Sequence, residues 1–131
     1  MAQPLLKHTD PMTRIAEIRA GLPVAELERL VKTLSLTRDE VARVLGVSRR
    51  TLSRLQGRQT LDPVASDRLA RVWQVVDHAV ETLGGVDEVA AWTRDPNPSL
   101  GGATPLTLLD TDVGVDAVDQ ILRRIDYGIY G

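Results

Sequence analysis

The sequence predicts an all-α fold, and three observations lead to it. Apolar residues recur three and four positions apart along most of the 131-residue chain, which is the spacing of one helix face. Glycine and proline fall between these periodic stretches, where helices begin and end. No stretch has the sustained alternation that predicts a β-strand.

The residues from 38 to 57 predict two short helices joined by a tight turn. Gly46 ends the first helix, because glycine tolerates the left-handed backbone of a turn. Ser48 then caps the second helix. The facing sides of the two helices are small or apolar, with Val41, Ala42, Leu45, Val47, Leu52 and Leu55. This spacing is typical of a helix-turn-helix.

The outer side of the second helix is polar and strongly basic, which predicts a DNA-binding face. The predicted DNA-binding residues are Ser48, Arg49, Arg50, Thr51, Arg54 and Arg58. Arg49 and Thr51 are expected to contact bases, Arg50 and Arg54 bases or phosphates, and the other two phosphates. The alternative interpretation is a solvated arginine face on an ordinary helical hairpin.

The net charge of −2 conceals an uneven distribution along the chain. Residues 1–36 carry five basic and four acidic groups, a net +1. Residues 37–58 carry six arginines and two acids, a net +4, whereas residues 59–131 carry five arginines and twelve acids, a net −7. A basic module beside an acidic one suggests two partners of different kinds.

Further helices are predicted over residues 11–20, 24–34, 63–82, 86–93, 105–109 and 115–125. Thr37 and Glu40 have the spacing of a capping box, and Asp62 before Pro63 is a helix start. Asp110 or Asp112 is expected to end one helix or cap the next. The long apolar stripe of helix 63–82 includes Trp73 and is expected in the core, with part of it available for a dimer interface.

The organisation predicted from these elements has three parts. Residues 1–22 form an N-terminal tail, mobile over residues 1–10, and a short helix. Residues 23–61 form the helix-turn-helix domain, and residues 62–131 form a long helix followed by a small helical domain. Residues 94–104 are expected to form a loop, since they contain two prolines and two glycines.

Several classes of function are disfavoured by the composition. The chain has no cysteine, and no apolar run approaches the roughly 20 residues that span a bilayer. The N-terminus has no signal-peptide pattern, so a cytoplasmic protein is expected. His8 and His78 have no carboxylates at metal-ligand spacing, and no catalytic motif is present. We therefore expect no metal, no cofactor and no enzymatic activity.

The C-terminal half carries an ordered series of short motifs. They are SDRL at 66–69, AW at 91–92, NP at 97–98, LGG at 100–102, TPL at 104–106, LLDT at 108–111, Gly114, and YG at 127–128. With the helix-turn-helix before it, this series resembles the Xre/MbcA/ParS family of antitoxins over roughly residues 24–131. The resemblance implies a DNA-binding domain followed by a toxin-binding domain.

The same resemblance implies a partner, a RES-domain toxin that destroys NAD. Such antitoxins cover or enter the mouth of the toxin's NAD pocket, are typically dimeric, and bind operator DNA to repress their own operon. The residues assigned to the toxin on this basis are Leu100, Gly101, Gly102, Thr104, Pro105, Leu109, Tyr127, Gly128, Ile129 and Tyr130. From the residues alone, a structural loop and helix cap is the favoured interpretation of residues 100–106, and the resemblance reverses that preference. The alternative function is a stand-alone transcriptional regulator whose C-terminal half dimerises or senses a small molecule.

Overall fold

The computed structural model describes residues 10–128. Seven α-helices follow one another in the chain: α1 (Pro11–Ala20), α2 (Val24–Leu34), α3 (Arg38–Leu45), α4 (Arg49–Gln56), α5 (Pro63–Leu83), α6 (Val86–Arg94) and α7 (Asp112–Asp126). Two short 3-10 turns, Pro98–Leu100 and Pro105–Leu108, lie between α6 and α7. Residues 10–128 contain no strand, so the predicted all-α fold is confirmed.

Most predicted helices are confirmed, and their ends are set by the expected local signals. Thr37 and Glu40 form a complete capping box at the start of α3, with reciprocal hydrogen bonds of 3.2 and 2.9 Å. Asp62 caps α5 by accepting the Ala65 N–H at 2.8 Å. At residue 10, where a tail was expected, Asp10 caps α1. The rest of that expected tail lies outside the described residues.

Helix α7 differs from the prediction, because it begins at Asp112 and not at Val115. Its cap is neither of the two aspartates suggested by the sequence. The Thr111 hydroxyl accepts the Gly114 N–H at 2.9 Å. Gly114 lies inside the helix because a Cβ at this position would come 1.8 Å from the Leu108 carbonyl oxygen. Close contact between two backbones therefore requires a residue that would otherwise weaken the helix.

Helix α5 is the centre of the molecule, and it packs against α1, α3, α6 and α7. Trp73 on this helix is 1% exposed, and its indole N–H donates to the Glu26 carbonyl at 3.2 Å. Trp92 is partly buried and packs against the same core. One cluster of buried side chains runs from Leu22 in the first half to Leu122 in α7. The helix-turn-helix and the C-terminal helices therefore share a single core.

An isolated antiparallel bridge closes the helix-turn-helix domain. The Val24 N–H donates to the Gln59 carbonyl at 2.9 Å, and the Leu61 N–H donates to the Leu22 carbonyl at 2.8 Å. These bonds join the residues just before α2 to the residues that follow α4. Across residues 10–128, no helix is both long and apolar enough to cross a membrane.

Candidate functional site

Helix α4 is fixed at the surface by its two buried leucines, the turn before it and its N-cap. Leu52 and Leu55 are completely buried beneath it. The turn before it bends at Gly46, whose φ of 67° is in the left-handed region. Ser48 caps the helix by accepting the Thr51 N–H at 3.1 Å. The polar side of α4 is therefore presented to solvent in a fixed orientation.

Three of the predicted DNA-binding residues are exposed and have no partner within residues 10–128. Arg50, Arg54 and Arg58 make no hydrogen bond or ion pair with any other described residue. Their guanidinium groups keep all their donors available for phosphates and base edges.

The other three predicted residues already make contacts. Arg49 Nε lies 3.2 Å from Asp39 Oδ1, but both side chains are largely exposed, so this pair holds Arg49 only weakly. The Ser48 hydroxyl donates to the Thr51 hydroxyl at 3.1 Å. Its single proton is thus occupied, so Ser48 must rotate before it can donate to a phosphate. Thr51 keeps its own hydroxyl proton.

One arginine from α3, Arg38, joins this surface, which its position in the sequence does not predict. Arg38 donates to Ser53 Oγ at 2.7 Å and to Gln56 Oε1 at 2.8 Å, which fixes its guanidinium against α4. Arg43 is exposed and has no partner among the described residues. Both residues belong to the basic segment 37–58, but only the crossing of α3 and α4 places Arg38 against α4.

The loop after α6 is a compact turn organised around Asn97. The Asn97 N–H donates to the Ala103 carbonyl at 3.0 Å, and the Asn97 carbonyl accepts from Leu100 and Gly102 at 2.9 and 3.0 Å. The Asn97 side chain accepts the Ser99 N–H at 2.9 Å. These bonds cross-link residues 97–103, so the loop has a defined shape before any partner binds.

Gly101 and Gly102 form the outer edge of this loop. Both have left-handed backbones, with φ of 68° and 86°, and a Cβ on either would meet open space. Their carbonyl oxygens accept no hydrogen bond from the described residues. The loop thus has two adjacent exposed glycines whose backbone acceptors are unused within the described residues.

The remaining residues assigned to the toxin fall into different environments. Leu100 is half-buried, and Thr104 caps the 3-10 turn Pro105–Leu108. Pro105 and Leu109 are buried and pack this segment onto the core. Tyr127 is 81% exposed at the end of α7 and is followed by Gly128 with φ of 73°. Ile129 and Tyr130 lie outside the described residues.

Arg94, at the end of α6, forms hydrogen bonds that connect α6 to the helix-turn-helix domain. Its guanidinium makes two hydrogen bonds of 2.9 Å to the Glu40 carboxylate and bonds of 2.7 and 3.3 Å to the Ser35 and Leu34 carbonyls. The hydrogen bonds from Arg94 lower the pKa of Glu40 to about 2. The loop and the start of α3 are thereby joined through one side chain.

His78 on α5 is held between two carboxylates of α7. Its Nδ1 lies 2.6 Å from Asp119 Oδ1 and its Nε2 lies 2.6 Å from Asp126 Oδ2, while Arg123 also pairs with Asp119. Partial burial lowers the pKa of His78, but hydrogen bonds to Asp126 and Asp119 and their charges outweigh it, so the pKa is raised. No group of three or more His, Asp or Glu side chains within residues 10–128 is arranged to hold a metal ion.

Comparison with known proteins gives two matching families along the chain. Residues 13–72 match the antitoxin Xre-like helix-turn-helix domain, and residues 78–128 match the antitoxin Xre/MbcA/ParS C-terminal toxin-binding domain.

Similar full-length proteins carry antitoxin names. Antitoxin Xre of Photorhabdus laumondii is 34% identical over 87% of this chain and 78% of the relative, and Antitoxin Xre of Yersinia enterocolitica is 30% identical over 88% and 80%. A protein of Sphingobium named Prs ADP-ribosylating antitoxin is 28% identical over 95% and 85%.

The fold also matches a chain from the crystal structure of the M. tuberculosis MbcT–MbcA toxin–antitoxin complex. The TM-score is 0.61 at 23% identity, with 82% of this chain and 96% of that chain covered. The family matches of both halves of the sequence and the similar fold therefore point to the same family. The chain belongs to the Xre/MbcA/ParS family of antitoxins, with an Xre-like helix-turn-helix followed by a C-terminal toxin-binding domain.

Proposed function

We propose that this antitoxin neutralises a RES-domain toxin that degrades NAD, by binding over the toxin's active site. In the same proposal it binds operator DNA as a homodimer and represses its own operon. The observation that carries the proposal is the presence of differently composed exposed surfaces on one shared core. The first is the basic face of α4 with Arg38 of α3, and the toxin contact is proposed at two exposed segments, the glycine edge of the 97–103 loop and the end of α7.

The DNA-binding part is supported by unpaired positive charge on a helix of fixed orientation. Arg50, Arg54 and Arg58 are exposed and unpaired within the described chain, and Arg38 is held beside them by Ser53 and Gln56. Each of these cations can replace a condensed counterion at a phosphate, which makes DNA binding favourable and salt-dependent.

The toxin-binding part is supported by the C-terminal family match and by the shape of the loop. The loop's internal hydrogen bonds fix its shape, and its two exposed glycine carbonyls supply acceptors for a partner's donors. Tyr127, next to a flexible glycine, supplies a large exposed ring of the kind that forms binding hot spots. The net −7 of residues 59–131 suits a partner surface built to receive nucleotide phosphates.

The DNA-binding part is tested by a gel shift or fluorescence titration with the promoter of the antitoxin's own operon. The double variant R50A/R54A is expected to lose affinity, and the slope of log K against log salt should fall by about one unit per lost phosphate contact. The matched control R19A/R124A removes the same charge from exposed positions outside this face. Equal affinity for the two double variants would refute the assignment.

The toxin-binding part is tested by co-expression with a RES-domain protein encoded beside the antitoxin gene. The full chain should rescue growth, and a chain lacking residues 127–131 should fail to do so while still binding DNA. Full rescue by the truncated chain would show that residues 127–131 are not needed to inhibit the toxin. Failure of the full chain to rescue or to bind the toxin, with DNA binding intact, would favour a stand-alone regulator.

A further inference from the structure

The last turn of α7 contains no fully buried side chain. Leu122 is the last buried residue of this helix, and Ile125 is only half-buried. Asp126 attaches the turn to α5, because both of its carboxylate oxygens have partners there. Oδ2 lies 2.6 Å from His78 Nε2, and Oδ1 accepts the Thr82 hydroxyl at 2.6 Å. The orientation of the end of α7 therefore depends on these polar contacts.

His78 can bond to both of its carboxylate partners only when its ring is protonated. Its other nitrogen, Nδ1, lies 2.6 Å from Asp119 Oδ1, so each ring nitrogen faces a carboxylate oxygen. An ionised carboxylate accepts hydrogen bonds and donates none, so both nitrogens must carry a proton. A neutral imidazole has one N–H, and its second nitrogen would face an oxygen with a lone pair. Loss of the proton therefore breaks one of the two bonds.

We expect the bond to Asp126 to be the one that breaks. The Asp126 side chain is 39% exposed and that of Asp119 is 23% exposed. Water can replace His78 more readily at the more exposed carboxylate, whereas a less exposed acceptor left without a donor costs more free energy. Asp126 would then be joined to α5 through Thr82 alone among the contacts described here.

Other charged groups also lie on the helices around His78. Arg123 of α7 pairs with Asp119 at 2.9 Å and offsets part of its charge. Arg14 of α1 lies against Gln74, one turn before His78. The remaining charged groups on α5 and α7 close to His78 in sequence or helix position, and those on α6, are Asp77, Glu81, Asp116, Arg124, Asp87, Glu88 and Arg94. The two acids on α5 lie one and three positions from His78 and also favour a protonated ring.

We propose that protonated His78 is a positioning residue for the toxin contact, because it holds the end of α7 in the orientation in which Tyr127 and Gly128 meet the toxin. The inference rests on the toxin contact of the proposed function. His78 is only 22% exposed and acts through α7, not by touching the toxin. Since the bound orientation requires the proton, the toxin binds the protonated antitoxin more tightly. Toxin binding in turn favours protonation of His78.

The first test is a calorimetric titration of the full chain with the RES-domain protein encoded beside its gene, from about pH 6 to about pH 9. The wild-type dissociation constant should rise at least about fivefold across this range. H78Q should bind more weakly than the wild type at pH 6 and equally at pH 9, because glutamine does not titrate. The ratio of the two dissociation constants at each pH cancels the titration of the toxin's own groups.

The matched control is H8Q, which removes the only other histidine of the chain. H8Q should keep the affinity and the pH dependence of the wild type. The melting temperature of each variant at each pH shows that the fold is retained during the titrations.

A second test uses the free antitoxin and does not depend on the toxin. In the wild type, the backbone carbon signals of Tyr127 and Gly128 in NMR spectra should titrate together with the His78 ring. In H78Q the same signals should stay constant over this range of pH. This readout follows the orientation of the end of α7 directly, which a loss of stability alone would not change.

The outcomes separate this inference from the proposed function. If the ratio of dissociation constants does not fall as the pH rises, the positioning role is overturned while the toxin contact stands. The same conclusion follows if the signals of Tyr127 and Gly128 do not respond to the His78 titration, or if H8Q loses the pH dependence. A wild-type chain that fails to bind the toxin at every pH would overturn the toxin contact and this inference together.

Discussion

Removal of the Arg94 side chain should loosen the attachment of α6 to the helix-turn-helix. In R94A the two bonds to Glu40 and the bonds to the Ser35 and Leu34 carbonyls are all lost. Hydrogen bonds to charged groups contribute roughly 1.5–3 kcal/mol each when buried. Arg94 is 38% and Glu40 28% exposed, so solvent screening reduces this. We expect a loss of about 2 kcal/mol in the free energy of unfolding.

The measurement is urea denaturation of the wild type, R94A, R94K and E40Q at neutral pH. A loss of this size corresponds to a melting temperature lower by about 8 °C in a domain of this length. R94K should lose about half as much, because an ammonium cannot make the two parallel bonds to the carboxylate. The control is R124A, an exposed arginine without a partner among the described residues.

The ion pair between Arg94 and Glu40 should also make the free energy of unfolding depend on pH. The pKa of Glu40 is lowered from its ordinary 4.5 to about 2. The stability that the ion pair contributes is therefore complete above pH 4.5 and is lost as the pH falls towards 2. R94A should lack most of this dependence. The reasoning is refuted if R94A lies within about 0.5 kcal/mol of the wild type or keeps the full acid response.

Three further predictions concern the C-terminal half. H78Q should lower the free energy of unfolding by about 1.5 kcal/mol below neutral pH. The pKa of His78 is raised from its ordinary 6.5, so the protonated side chain stabilises the folded wild type fully below pH 6.5. This stabilisation is lost as the pH rises through the raised pKa. Melting curves from about pH 5 to pH 8 check this, and a constant difference across that range would contradict it. G114A should cost about 3 kcal/mol in urea denaturation, because its methyl group would meet the Leu108 carbonyl, and any gain in stability would count against the geometry. G102N should weaken toxin neutralisation in the co-expression assay. Asparagine is among the side chains that best tolerate a positive φ, and the control G84N, at another open position of positive φ, imposes the same kind of backbone strain and should leave neutralisation unchanged.

The sequence was most informative where a structural signal lies within a few residues. The capping box of Thr37 and Glu40, the left-handed turn at Gly46 and the Ser48 cap each involve partners no more than three or four positions apart. Such signals are written directly in the chain, since their geometry depends on local backbone alone. They located the helix-turn-helix and its arginine face before any tertiary structure was known.

Local sequence signals do not predict which of the residues assigned to the toxin contact are buried. Pro105 and Leu109 belong to the same motif series as Gly101 and Gly102, yet two are buried and two are exposed. A motif records which residues recur together and does not say which of them face solvent. That distinction depends on how the segment 105–109 packs against α6 and α7.

By itself, the sequence determined the helices, the helix-turn-helix and the segregation of positive from negative charge, because these follow from local spacing and composition. Only the tertiary structure decided the contacts between distant residues. Arg94 and Glu40 are 54 positions apart, and His78 is 41 and 48 positions from its two aspartates. Gly114 is a shorter-range case, whose need for glycine comes from the Leu108 carbonyl just outside its own helix. Such contacts exist only once the helices have packed, since nothing in the local chain specifies which charged side chains will meet.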